Sequence, residues 1–341
     1  MIDLRSVNKE ELESMVVELG FPKFRADQVM KWIFKGKNSF RDMTNVPDSL
    51  KLSLEKIAYI EHLELVRMQV SEIDGTKKAL FRLSDGNMIE SVFMKYKFGN
   101  TICVSSQAGC RMGCVFCASG KLGLARNLTP GEMISQILDM ENATGEKINH
   151  IVMMGTGEPF DNYENMAKFI RLANAKDGLG IGMRNITVST CGIVPRIKDF
   201  AEEFNQVNLA ISLHAFDNDA RSSIMPINKK YPLEELVRAC KDYNRLTGRR
   251  ITFEYTLIKD VNDDIKAAKK LVSLLKGVHC HINLIPLNRV VESGLDTISR
   301  DRAKEFADSI ESMGIPATVR RELGSDIDGA CGQLRLSKNI N

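Results

Sequence analysis

Tryptophan occurs once and proline nine times in 341 residues, and aromatic side chains make up only 6% of the chain. No apolar stretch approaches the roughly 18 residues that span a bilayer, so no membrane partner is expected. Net charge is +3. That surplus neither demands nor excludes a nucleic-acid partner, because a local patch matters more than the sum. The opening Met1-Ile2-Asp3-Leu4-Arg5 lacks the pattern of a signal peptide. A cytoplasmic, monomeric protein is the expectation. The chain is 43% hydrophobic and 27% charged, an ordinary globular composition, and its length suits one large domain with a smaller one.

A second C-x2-C pair is also missing, and that absence bears on metal chemistry. Cys110, Cys114 and Cys117 stand at C-x3-C-x2-C spacing in the stretch Gly109 to Cys117. A four-cysteine zinc site needs another pair. Three closely spaced thiolates suit a 4Fe–4S cluster with one iron left open for a small molecule. Chance spacing, or a zinc knuckle with a remote fourth ligand, is the alternative. Eight cysteines in a cytosolic chain point to metal or redox chemistry rather than a disulfide framework.

Residues 1–60 read as a helical accessory domain. Asn8 to Glu11 forms a capping box and Gly20 can end that helix. The next segment carries Lys23, Arg25, Lys31, Lys35 and Lys37, with Val29, Trp32 and Ile33 on one helical face. It is either a solvated basic face or an RNA-backbone contact. Residues 61–100 change to a period of two, with Asp74-Gly75 and Asp85-Gly86 as hairpin turns. This predicts a β-meander bridging the helices to the core. From 101 to 341, seven apolar strand candidates alternate with helices, beginning near Ile102, Ile148, Asn185, Val207, Ile251, His281 and Ile315. Thr129-Pro130-Gly131-Glu132 carries a cap, a first-turn proline and a capping-box acid. The alternation implies an α/β fold with a parallel sheet, either a barrel or doubly wound.

In both folds ligands gather at the carboxyl ends of strands. Gly155-Thr156-Gly157-Glu158-Pro159, Ser189 to Gly192, Ser212-Leu213-His214 and Asn288 all fall there. Gly157 suits close backbone approach to a ligand, and the Glu158 carboxylate suits an ammonium group. Ser189, Ser212, Leu213, His214 and Asn288 are candidate ligand contacts, although a tight turn or a structural histidine explains each alone. Cys331 lies between small residues beside acids, a candidate nucleophile. Cys103 reads locally as a core strand cysteine. Cys191, Cys240 and Cys280 read as packing residues.

The set C-V-S-S-Q-x-G-C-x3-C-x2-C, G-x-G-E-P, S-T-C-G-I-V-P, S-L-H-A, R-S-x-x-M-P-I-N, G-R-R-x-T-F-E-Y, N-L-I-P and D-I-D-x-A-C-G-Q-L spans Cys103 to Leu334. Together these motifs resemble the RlmN/Cfr family of radical S-adenosylmethionine (SAM) RNA methyltransferases, and Phe116 fits the aromatic usual before the third cysteine. The resemblance implies a partial (β/α)6 TIM-like barrel, a 4Fe–4S cluster on Cys110, Cys114 and Cys117, and SAM as cofactor. Pro159 and Gly248-Arg249-Arg250 are similar to the RlmN type, which methylates carbon 2 of an adenosine in 23S rRNA and often in tRNA. The Cfr type, acting at carbon 8, is the near alternative, and a non-catalytic iron–sulfur RNA-binding protein the alternative of another class. The resemblance further implies that Cys331 takes a methyl from one SAM and that a second SAM supplies a radical. It also implies that Cys103 resolves the Cys331 adduct as a disulfide, and that Glu90 or Cys103 accepts the ring proton. A flavodoxin- or ferredoxin-type donor would provide the electron.

Overall fold

The structure, a computed structural model, describes residues 1–121, 123–288, 294–329 and 333. The amino-terminal segment holds helices α1 (Lys9–Glu18), α2 (Arg25–Ile33) and α3 (Asp48–Ile57), bracketed by a two-strand parallel pair, β1 (Ile2–Asp3) and β2 (Ala58–Tyr59). The Asn8 side chain accepts from the Glu11 N–H at 2.8 Å and the Asn8 N–H donates back to Glu11 at 2.7 Å, the expected capping box. Gly20 follows the helix end with φ +83°, the left-handed geometry glycine tolerates. Val29 and Ile33 are fully buried. Trp32 is half-buried, and its indole donates to Asn45 at 2.6 Å.

The meander forms where the Asp-Gly turns place it, as β3 (Glu64–Val70), β4 (Lys77–Arg82) and β5 (Met88–Tyr96). It is more than a bridge. β5 pairs antiparallel with β6 (Gly99–Cys103), so the meander extends the main sheet. After β6 comes a separate two-strand ribbon, β7 (Gln107–Cys110) and β8 (Gly123–Asn127), which carries the three-cysteine loop. Then α4 (Pro130–Thr144), β9 (His150–Met153), α5 (Tyr163–Asn174), β10 (Ile186–Thr190), α6 (Val194–Glu203) and β11 (Asn208–Ser212) alternate. They are followed by α7 (Asn218–Ile224), α8 (Leu233–Thr247), β12 (Ile251–Leu257), α9 (Ile265–Leu274), β13 (Cys280–Pro286), α10 (Arg300–Ser312) and β14 (Ala317–Val319). The order across the ten-stranded sheet is β14-β13-β12-β11-β10-β9-β6-β5-β4-β3. Every neighbour from β6 to β14 is parallel. Neighbours in space follow neighbours in sequence, the one-way winding of a barrel rather than the reversal of a doubly wound sheet. The ladder runs to β14 at one edge and β3 at the other, which makes the barrel partial. Among the described residues no helix is long and apolar enough to cross a membrane.

Helix α4 is the joint between the amino-terminal segment and the barrel. Thr129 and Glu132 make its capping box and Gly145 its left-handed end. On one side the Arg5 guanidinium, fully buried, donates to Ser135 at 2.9 Å and lies 3.5 Å from Asp139, and Ser6 accepts from the Gly131 N–H at 2.8 Å. A Cβ at Gly131 would fall 1.7 Å from the Asp3 carboxylate, so only glycine lets the two segments meet. On the other side Gln136 accepts from the Ser105 N–H and the Ser91 hydroxyl, each at 2.8 Å, and donates to the Ser105 carbonyl at 2.9 Å.

This joint is acidic. Burial, then the charges of Asp3 and Glu132, push the Glu61 carboxyl up to about 7 from the ordinary 4.5. Between those values the folded chain holds a proton that the unfolded chain has lost, so this contribution to stability falls as pH rises through the window. Glu61→Gln is therefore expected to raise the melting temperature relative to the native chain more at pH 8 than at pH 5. Equal differences at the two pH values, read by calorimetry, would show that Glu61 is not the titrating group.

Candidate active site

The cluster loop owes its position to glycines and to the serine–glutamine stretch before it. Gly109, at φ +81°, faces the Gly123 carbonyl so closely that a Cβ would sit 2.0 Å from it. Ser105 donates to the Glu90 carbonyl at 2.7 Å and accepts from the Thr156 N–H at 2.9 Å. Gln107 accepts from the Glu158 N–H at 2.9 Å and donates to Asn127 and Asp161. Within the loop, the Val115 N–H donates to the Ile224 carbonyl and the Cys117 N–H to the Cys114 carbonyl.

Cys110, Cys114 and Cys117 line one cavity with Gly155, Gly157, Glu158, Ser189, Ser212, His214 and Asn288. Burial pushes the Cys110 thiol up to about 11, with neighbouring Glu158 and Cys117 adding to the effect, and the Cys114 thiol is raised by burial, Cys117 and Cys110. Three thiols gathered at one cavity are a donor set that a cationic iron cluster satisfies. Among the described residues no three His, Cys, Asp or Glu side chains converge on a single ion.

The G-x-G-E turn lines the cavity and also packs against a neighbouring segment. Cβ atoms at Gly155 and Gly157 would come within 2.8 Å and 2.7 Å of the Ser105–Gln107 segment. These glycines admit that loop as well as facing the cavity. Glu158 is buried, accepting from the Cys191 N–H at 2.7 Å and the Phe160 N–H at 3.0 Å. Its carboxyl is raised, burial outweighing those bonds. It organises the ends of β9 and β10 while presenting acid to the cavity.

His214 takes a left-handed backbone, φ +57°. Its Nδ1 accepts from the Thr256 N–H at 3.0 Å and its ring meets Phe116 edge-on at 4.7 Å. Burial, with Arg221 nearby, lowers its pKa to about 3. The ring is neutral at physiological pH, and because Nδ1 accepts, Nε2 carries the proton. The ring thus has a structural hydrogen bond and also lines the cavity. Leu213 does not line the cavity. Its side chain lies in the core and its carbonyl accepts from the Arg221 Nε at 3.1 Å.

Sequence reasoning missed three participants. Cys191 lines the cavity instead of only packing. Arg221, fully buried, ties the Cys191 and Ser212 carbonyls together at 2.7 and 3.0 Å. Glu254 lines the cavity from β12, accepting from Asn283 at 2.8 Å, its carboxyl raised by burial. An acid in the middle of the strand-forming run Ile251 to Leu257 is the available signal.

Comparison with known proteins fits this geometry. Residues 104–272 match the radical SAM superfamily, and residues 2–60 match the ribosomal RNA large subunit methyltransferase N-terminal domain. A probable dual-specificity RNA methyltransferase RlmN from Thermoanaerobacter sp. (strain X514) is 53% identical over 336 residues, 98% of each chain. One of the same description from Clostridium botulinum (strain Alaska E43 / Type E3) is 52% identical over 96% of this chain and 94% of its own. The chain belongs to the RlmN family of radical SAM RNA methyltransferases. As a member of the RlmN family it is an enzyme whose cofactors are a 4Fe–4S cluster and SAM. The crystal structure of a radical SAM methyltransferase from Sphaerobacter thermophilus superposes with a TM-score of 0.94 at 44% identity, covering 98% of this chain and 99% of that one.

The thiol pair expected of the RlmN family is half visible. Cys103 ends β6, is buried, and is paired in register with Val92 and Val152 among Met94, Met154 and Leu323. No disulfide occurs among the described residues, and Cys331 lies outside them. Glu90 is buried on β5, 3.4 Å from the Lys78 ammonium.

Proposed function

We propose that this enzyme methylates carbon 2 of adenosine in 23S rRNA and in tRNA through a methyl carried on Cys331, using two SAM molecules. The observation that carries the reading is a convergence on one sheet face. Lys78, Val92, Cys103 and Val152 form one cross-strand row, and registered neighbours share a face. Glu90 is two residues along the strand from Val92 and so faces the same way. Lys78 also donates to the carbonyl of Asp328, three residues before Cys331, at 3.2 Å.

Cys110, Cys114 and Cys117 hold the cluster, and Glu158, Ser189, Ser212, His214 and Asn288 surround SAM. When bound, cluster and SAM supply an organic radical able to remove hydrogen from a methyl group, with the electron coming from a flavodoxin- or ferredoxin-type donor. Cys331 takes the methyl by displacement, its thiolate attacking and the SAM sulfonium leaving as a thioether. Carbon 2 of adenine is electron-poor and cannot itself attack a methylsulfonium, so a carrier thiol is needed. Once the carbon bridges Cys331 and the ring, the adduct radical returns one electron to the donor system and Glu90 accepts the ring proton. The Cys103 thiolate then attacks the Cys331 sulfur, the carbon leaves with the bonding pair and takes up a proton as the product methyl, and a disulfide remains for a thiol system to reduce.

SAM with a trideuterated methyl, given to reconstituted enzyme with an rRNA fragment, tests this. The expected product is 2-methyladenosine retaining two deuteriums. Full retention of label would overturn the carrier route. 8-Methyladenosine would keep the carrier route and move the site of attack to carbon 8.

RNA contact is proposed for the amino-terminal helices. Lys31, Lys35 and Lys37 are exposed, and Lys35 stands 5.2 Å over the Trp32 ring. Lys23, by contrast, pairs with Glu13 at 2.9 Å. Lys31→Glu with Lys35→Glu is expected to weaken RNA binding and to shrink the salt dependence by about two counterions. An unchanged slope would remove this patch from the interface.

A further inference from the structure

The segment leading towards Cys331 is held by the meander. After β14 the chain reaches the β3–β4 hairpin, where the Gly324 N–H donates to Asp74 at 2.9 Å and the Glu72 N–H donates to Asp326 at 3.0 Å. The Gly329 N–H returns to the Gly324 carbonyl at 2.9 Å, closing a tight loop. Gly324 lies at φ +64°, and a Cβ there would sit 3.0 Å from Thr76. Asp328 takes φ +49°, a left-handed backbone that costs energy in a residue other than glycine. Neighbouring bonds impose it: Lys78 grips the Asp328 carbonyl at 3.2 Å.

Lys78 is itself unusual. It is 6% exposed, although a lysine side chain ordinarily keeps its ammonium in water. Burying that charge is unfavourable unless partners replace the lost water. Its partners here are the Glu90 carboxylate at 3.4 Å and the Asp328 carbonyl. One ammonium has three donors in different directions, so it can serve both at once. Sheet packing alone would be met by methionine or leucine at this place.

We propose that Lys78 is a positioning residue for the methyl-transfer centre. Its ammonium joins the carboxylate of Glu90 to the backbone that leads into Cys331, and the β3–β4 hairpin anchors the other side of that backbone. One residue, Ala330, separates Gly329 from Cys331, and two trans peptide units cannot put their Cα atoms more than about 7 Å apart. The anchor at 324–329 therefore fixes where the chain leading to the carrier thiol begins, with Lys78 in the cross-strand row that holds Cys103. This inference rests on the carrier-thiol reading for its purpose, while the anchoring itself can be measured separately.

The test compares the native chain with Lys78→Met, which keeps length and loses the donors, and Lys78→Arg, which keeps donors and charge. Amide hydrogen exchange is followed in peptides covering residues 322–333, with α8 peptides as a control for global folding. Loss of one anchoring bond is expected to speed exchange in the 322–333 peptides by about tenfold in Lys78→Met, with α8 unchanged and partial recovery in Lys78→Arg. In single turnovers with an intact cluster spectrum, methylation of Cys331 and of RNA is expected to slow together in Lys78→Met and to recover in Lys78→Arg. Native exchange and native methylation in Lys78→Met would overturn the inference. Should Lys78→Met lose the α8 protection, Asp326→Ala on the exposed side of the hairpin replaces it; unchanged exchange at 322–333 there would equally overturn the anchor. If the native chain methylates RNA with no methyl on Cys331, the carrier reading fails, and the exchange result still decides the anchor.

Discussion

Cys331→Ala is expected to lower RNA methylation by at least about 10⁴-fold, the scale seen when a covalent nucleophile is removed. Reductive cleavage of SAM should persist, because Cys110, Cys114, Cys117 and the cavity polar groups lie on other elements. Parallel assays of 5′-deoxyadenosine and methylated RNA would show this split. A variant that still methylates RNA would end the carrier proposal. A variant that loses SAM cleavage as well would place Cys331 in cofactor binding instead. Cys103→Ala should differ in kind: with no thiol to resolve the adduct, a covalent protein–RNA species should accumulate, visible as a gel shift resistant to denaturant.

Cys114→Ala is the second large effect. The variant should lack the iron–sulfur absorbance, and both SAM cleavage and RNA methylation should fall to background. The fold should survive, since the main core lies beneath the sheet and the cysteine loop belongs to a separate ribbon. Far-UV circular dichroism like that of the native chain would confirm survival. Retained absorbance would reassign the ligand set. Because burial raises the Cys110 and Cys114 thiols, cluster loading releases protons and should weaken as pH falls.

The barrel strands were legible because each is a short apolar run between polar turns, and the seven candidates became β6 and β9–β14. Choosing a barrel over a doubly wound sheet needed the strand order, which no local pattern encodes. The Asp-Gly turns announced the meander, but its merger with the main sheet depends on the β5–β6 register. At the site, the cysteine spacing and strand-end polar groups stood out in sequence, and they do line one cavity. Gly155 and Gly157 were read for a ligand, whereas the Ser105–Gln107 segment supplies much of their crowding. Nothing in the sequence around Arg221 marks its side chain as buried. Nor does the alternating run that begins at Lys77 mark Lys78 as buried. Both are buried by distant segments, and sequence periodicity reports only a residue's own element.

Helix α4 touches the amino-terminal segment through Ser135 and Asp139 and the Ser105 loop through the adjacent Gln136. Adjacent residues on a helix project about 100° apart, so one rigid rod is gripped on two sides within a single turn. The enzyme thus contains a gauge of fixed length between its basic helices and its chemistry. An RNA bound, as proposed, at Lys31 and Lys35 would not draw the cavity towards itself. If the proposed RNA contact holds, the nucleotide would have to be brought to the cavity by distortion of the RNA, and folds whose target base cannot swing out to that distance would be rejected by geometry, whatever their sequence.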